Sequence, residues 1–239
     1  MSSTASWRTS TSALTALACV ALSGCAARPE FADVLFTDDF TGGLGNWQIE
    51  AEKPGSIVAA NGVLDIDVPA GVTLWFKPQL HAPVAIEFEA TAVAAGGPND
   101  QVSDLNVFWM ANNPDGVMPV YATARSGAFA QYNNLRTYYA GLGGNRNTST
   151  RFRRYVGDPD NRPLLPQHDL SARSAMLVAN RKQTIILIAT AKEVEFRRDG
   201  QPLLRMIDPA PYTDGWFALR TTWSHLRISN LRIRRVNER

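Results

Sequence analysis

Apolar and polar positions alternate in short runs along most of this chain, and turn residues separate the runs. In Val63–Val68, Leu64, Ile66 and Val68 fall on one side and Asp65 and Asp67 on the other, which is the period of a half-buried strand. Asn61-Gly62 just before it is a hairpin turn signal. Val84, Ile86, Phe88 and Ala90 alternate in the same way against Glu87, Glu89 and Thr91. Further strands are predicted at 34–40, at 71–77 (ended by Pro78), at 105–110, at 136–141 and at 150–156. Residues 183–191, with Ile185-Ile186-Leu187-Ile188-Ala189 unbroken at their centre, predict a fully buried strand. Asp199-Gly200 turns 193–198 back into 202–204. The last two strands are predicted at 215–221 and 225–236. In the final one Leu226 and Ile228 share a phase that Leu231 and Ile233 miss by one, so a bulge is expected near Ser229-Asn230. Residues 119–131 predict a short helix or an irregular crossing, and 157–169 a proline-rich surface loop. Short strands with many turns and almost no helical period imply an all-β antiparallel sandwich of jelly-roll type, with a single domain over 34–239.

Composition narrows the class. Hydrophobic residues make up 45% and charged residues 19%, a globular balance, and the formal net charge is only +2. A nucleic-acid binder is usually more basic, so no nucleic-acid partner is expected. Arginine is concentrated at 146–162 and 220–239. The two cysteines are Cys19 and Cys25. The only charge ahead of a small apolar run at 13–22 is Arg8, and that run is too short to span a bilayer. It closes in Leu22-Ser23-Gly24-Cys25, which resembles a bacterial lipobox. The resemblance implies a leader over 1–24, lipidation of Cys25, a tether over 25–33 and membrane contact through the lipid alone. Ala26 in place of Asp favours the outer membrane by the same pattern. The mature domain would then hold no thiol and no disulfide.

The chemistry is expected at the hairpin of 136–156. Phe152 and Val156 suit the core, so Arg151, Arg153 and Tyr155 should face out. Setting Arg136 and Tyr138 beside them gives three guanidinium groups and two phenols on one open face. Arginine grips a carboxylate through two parallel hydrogen bonds, and aromatic rings stack on sugar rings. Asn145, Arg146 and Asn147 in the connecting turn supply amides and a cation for hydroxyl groups. Asn106 lies between Leu105 and Val107, which suit the core, so its amide is expected to point into a cleft. His168 follows a rigid proline-rich stretch and is a candidate general acid or base. Tyr138, His168 and Arg153 are the catalytic candidates. Arg136, Arg151, Tyr155, Asn106, Asn145, Arg146 and Asn147 are the substrate-binding ones. Cross-strand packing on a solvated face is the plainer account of the same residues. Paired acids for glycoside hydrolysis are weak: Glu87 and Glu89 share a face, but no Glu-x-Asp-x-x-Glu run is present. No Gly-x-Ser-x-Gly elbow, histidine cluster or phosphate loop occurs.

Phe36-Thr37-Asp38-Asp39-Phe40, the glycines after it and Trp47 resemble the opening of concanavalin A-like sandwich domains. That resemblance implies a structural calcium at Asp38 or Asp39, with no cofactor required. Residues 102–111, 138–145, 151–155 and Gly215-Trp216-Phe217 with Ser224-His225 resemble uncharacterised secreted bacterial β-sandwich proteins related to concanavalin A-like lectins and glucanases. Their kin imply a polysaccharide or oligosaccharide partner. Two readings stay open: an enzyme acting on an acidic polysaccharide, a lyase before a hydrolase, or a non-catalytic carbohydrate-binding lipoprotein. In the lyase reading an arginine neutralises a uronate carboxylate, and Tyr138 or His168 takes the C5 proton.

Overall fold

The computed structural model describes residues 30–237 together with Met1. The leader expected over 1–24, Cys25 and the first part of the tether lie outside the described residues. In chain order the strands are β1 (Glu30–Asp38), β2 (Trp47–Ala51), β3 (Ser56–Ala60), β4 (Val63–Val68), β5 (Val72–His81), β6 (Val84–Ala92), β7 (Leu105–Asn112) and β8 (Arg136–Gly143). They continue as β9 (Ser149–Val156), β10 (Asp169–Leu170), β11 (Gln183–Ala189), β12 (Glu193–Arg198), β13 (Gln201–Ile207), β14 (Asp214–Thr221) and β15 (Ser224–Asn237). Every pairing of these strands is antiparallel.

One sheet has the order β13-β12-β11-β6-β15-β4-β3, with β1 beside the later half of β15. The other has the order β10-β9-β8-β7-β14-β5-β2. Between them lies the main core, including Leu64, Ile86, Phe88, Trp109, Tyr138, Leu187 and Phe217. The expected sandwich is therefore the observed one. Its turns follow from the residues named for them. Asn61 and Gly62 have φ of 53° and 83°, and Asp199 and Gly200 have 51° and 76°; two successive left-handed residues match the strand twist of a tight hairpin. The bulge in β15 falls between Ser229 and Arg232, with Asn230 at φ 55°.

Two boundaries differ from expectation, and strands β2 and β3 are additional to those predicted. The first strand begins at Glu30, pairing with Asn237, so the segment expected as tether is partly strand. Pro78 does not end β5; it sits where pairing with β14 skips from Phe76 to Leu80, a place that asks for no ladder N–H. Strands β2 and β3 carry no strong alternation in the sequence and are held by their neighbours. Residues 113–135, with short 3-10 turns at Val120–Ala122 and Phe129–Tyr132, cross the outer face of the seven-stranded sheet. There Val120, Tyr132 and Leu135 join Trp75, Phe108, Tyr155 and Trp216 in a second core.

Candidate functional site

Cross-strand register organises the outer face of the seven-stranded sheet into two rows. Glu50, Thr73, Arg220, Asn106, Gly141, Arg151 and Asp169 stand opposite one another across all seven strands. The next row is Gln48, Trp75, Ala218, Phe108, Tyr139 and Arg153. The second row is largely roofed by 113–135: Tyr132 stacks on Phe108 at 5.5 Å and Phe129 at 6.5 Å. The first row is roofed only at the β2 end. Its middle is interrupted by Gly141, and there a pocket of about 370 Å³ opens, lined by Asp104, Asn106, Tyr139, Arg151, Arg220 and Glu52 among others. That volume is within the usual range for small-ligand pockets.

The pocket floor has fixed geometry. Tyr139 donates its hydroxyl to Asn106 Oδ1 at 3.1 Å, and Asn106 Nδ2 reaches Asp104 Oδ1 at 3.4 Å. A side chain on residue 141 would meet this pair, its Cβ lying 2.5 Å from the Tyr139 hydroxyl and 2.7 Å from Asn106 Oδ1. Asp104 is held at φ 57° and its other carboxylate oxygen accepts the Ser103 hydroxyl. Burial pushes the Asp104 carboxyl above its ordinary range, against the opposing hydrogen bonds of Ser103 and Asn106 and the charge of Arg220. Burial likewise pushes the Tyr139 phenol well up. Arg220 is 3% exposed and gives Nη1 to Thr73 Oγ1 and to Gly127 O, both at 2.7 Å, beneath the rings of Phe129 and Tyr132. The pocket thus offers two carboxyls, Asp104 and Glu52, two amides, Asn106 and Asn145, two guanidinium groups and the rings of Tyr139 and Phe129, a combination that suits hydroxyl-rich ligands.

Several residues expected here are elsewhere. Tyr138 is fully buried on the inner face, donating to Asp208 Oδ2 at 2.6 Å. Register explains the difference: Tyr138 stands opposite Arg154, and Tyr139 opposite Arg153. A one-residue shift in pairing moves every side chain of a strand to the other face. Arg136 has the same phase as Tyr138, is exposed, and lies over the Tyr212 ring at 5.5 Å beside a different pocket. His168 is 2% exposed, packs edge-on against Phe152 at 5.1 Å and bonds through Nε2 to Arg205 O at 2.7 Å, so it is not a free loop histidine. Tyr155 does face outward but is 1% exposed, with Tyr139 and Arg162 against its ring.

Arg151 and Arg153 do face outward, and Asp169 takes up charge from both, at 3.0 Å and 3.9 Å. Asn106 lines the pocket. Asn145 borders it too, while Arg146 and Asn147 line the far side of the turn. Arg220, Tyr139 and Glu52 also line the pocket and are not among the candidates named above. The available signal for Arg220 was a lone cation in phase with Trp216 and Ala218. Asp38 does not fit a calcium ligand. Its Oδ1 accepts Phe40 N–H at 2.9 Å, and its Oδ2 accepts Trp47 Nε1 at 2.9 Å and Asn46 Nδ2 at 3.3 Å. Asp39 caps Thr41 through its N–H and hydroxyl. Among the described residues no group of three His, Cys, Asp or Glu side chains converges to hold a metal.

A family model for a domain of unknown function matches residues 66–231. No curated protein sequence matches the chain. Among solved structures, a protein of unknown function with a galectin-like fold from Bacillus subtilis superposes with a TM-score of 0.69 at 13% identity, over 89% of this chain and 100% of that one. An endo-beta-1,3-glucanase from Pyrococcus furiosus gives 0.55 at 8% identity, over 86% and 95%. The carbohydrate recognition domain of Emp46p, in its metal-free form, gives 0.55 at 11% identity, over 85% and 94%. At these identities the likeness is one of fold: a galectin-like, concanavalin A-like jelly roll.

Proposed function

The chain belongs to the DUF6250 family, a domain of unknown function, and from the pocket geometry we propose that it is a non-catalytic carbohydrate-binding protein. One observation carries the reading. The gap above Gly141 sits between the Asp104–Asn106–Tyr139 chain of hydrogen bonds and the Arg151 guanidinium, so donors and acceptors converge beside aromatic rings. The names of the fold's relatives, a glucanase and a carbohydrate recognition domain, support it by analogy of fold. Because 113–135 roofs the rest of the face, the ligand is a chain end or a branch rather than the interior of a long strand.

The lyase reading is weaker, since Tyr138 and His168 are both buried away from the pocket. Tyr139, which takes Tyr138's place, is held neutral by burial and committed to Asn106. Export and lipid attachment at Cys25 remain part of the proposal, resting on the Leu22–Cys25 motif; radiolabelled palmitate should enter the protein and fail to enter Cys25→Ser. The binding reading is tested on a glycan array followed by calorimetry. A specific glycan should bind, Asn106→Ala should weaken it about tenfold or more, and no new reducing ends should form. Absence of any glycan ligand overturns the reading, and turnover would replace it with an enzymatic one.

A further inference from the structure

A second cavity, of about 720 Å³, lies across the β8–β9 turn from the pocket. Val102, Met176, Leu177 and Val178 give it an apolar wall, and Arg146 and Arg173 stand on it as exposed cations. No acidic side chain lines it. The guanidinium groups of Arg146 and Arg173 make no hydrogen bond or ion pair among the described residues, unlike Arg151, Arg154 and Arg198 nearby. Their presentation is fixed by the turn. Asn145, Arg146 and Asn147 have φ of 53°, 58° and 60°, three successive left-handed residues that L side chains rarely adopt. The Asn147 side chain ties that turn to the cavity wall, donating to Leu177 O at 3.0 Å and accepting Leu177 N–H at 2.9 Å. Thr148 donates its hydroxyl to Asn145 O at 2.8 Å. Asn145 borders the first pocket and Asn147 the second, so one rigid turn separates the two.

We propose that this second cavity is an adjoining subsite for a negatively charged sugar unit, bearing a carboxylate or a sulfate ester, of the same glycan that fills the first pocket. The proposal rests on the carbohydrate reading. It assigns recognition of the anion to Arg146 and Arg173 rather than to Arg151 and Arg153, whose charge Asp169 already engages. Two unpaired forks suit an oxyanion, and the apolar wall suits the carbon face of the sugar ring. A glycan leaving the first pocket is blocked toward 113–135 and free to cross the turn.

The test is an array carrying each neutral glycan beside its uronate-bearing and its sulfate-bearing counterpart. It is read for the wild-type chain and for the double variant Arg146→Asn with Arg173→Ala. Asn tolerates the left-handed backbone, and neither arginine side chain has a partner to lose, so the melting temperature should hold. The expected result is about tenfold tighter binding of one anionic class over its neutral counterpart, lost in the double variant while neutral binding remains. The class that gains, uronate or sulfate, identifies the source of the charge. Neutral glycans bound with no preference for charge would overturn the subsite and leave the carbohydrate reading standing. A preference that survives the double variant but vanishes in Arg151→Ala would also overturn it, by moving the charge readout to the first pocket. No glycan bound at all would overturn both.

Discussion

Gly141 shows how one absent side chain decides whether a binding pocket exists. Its neighbours in the row, Asn106 and Arg151, carry long polar groups, and the space between them is free only because residue 141 has no Cβ. Gly141→Ala is expected to push the Tyr139–Asn106 pair apart and lower glycan affinity about tenfold or more, which calorimetry would register. Asp104 sets the pH dependence. Its carboxyl titrates above the ordinary range, and the ionised form is the better acceptor for sugar hydroxyls. Affinity should therefore rise with pH through that raised value, and Asp104→Asn should flatten the profile. This scale was only partly legible in the chain. Alternation in 150–156 correctly sends Arg151 and Arg153 outward. It does not fix the pairing with the neighbouring strand, and Tyr138-Tyr139-Ala140 reads equally well in either phase. The turn length that sets the register depends on three left-handed residues, 145–147, only two of which are asparagines.

At the scale of elements, 113–135 is what separates this sheet from an open groove. Glu50 anchors it, accepting the Tyr132 hydroxyl at 2.6 Å and Trp75 Nε1 at 3.0 Å, with Arg125 at 3.8 Å. Burial raises the Glu50 carboxyl, and those donors partly offset the cost. Tyr132→Phe removes one of them and should destabilise the fold by about 1–3 kcal/mol in denaturant titration. The covering was foreshadowed by composition rather than period. A sheet with one wet face alternates, whereas Leu74-Trp75-Phe76 and Leu105-Asn106-Val107-Phe108-Trp109 are apolar on both faces. Such runs say that both faces are covered but not by what, and a segment with no period of its own gives no direction in which it crosses.

At the scale of the molecule, the sandwich was legible because its strands carry their own turns, from Asn61-Gly62 to Asp199-Gly200. Acidic residues near the start were harder to read. In the sequence Asp38 and Asp39 stand together at the end of a predicted strand, with nothing to distinguish them, yet in the fold Asp38 turns inward to hold the Trp47 indole. A chelator should accordingly leave the melting temperature unchanged, whereas Asp38→Ala should lower it. The pairing of β1 with the end of β15 has a further bearing. β15 runs from Ser224, two residues past the pocket-lining Thr222, to Asn237, which faces Glu30. Fourteen strand residues extend about 45 Å. Whatever grips the chain upstream of Glu30 therefore holds the domain by its heel and presents the pocket at arm's length from the point of attachment. A bulky protein fused ahead of Glu30 should leave glycan affinity untouched, and the same cargo inserted at Asn145 should abolish it.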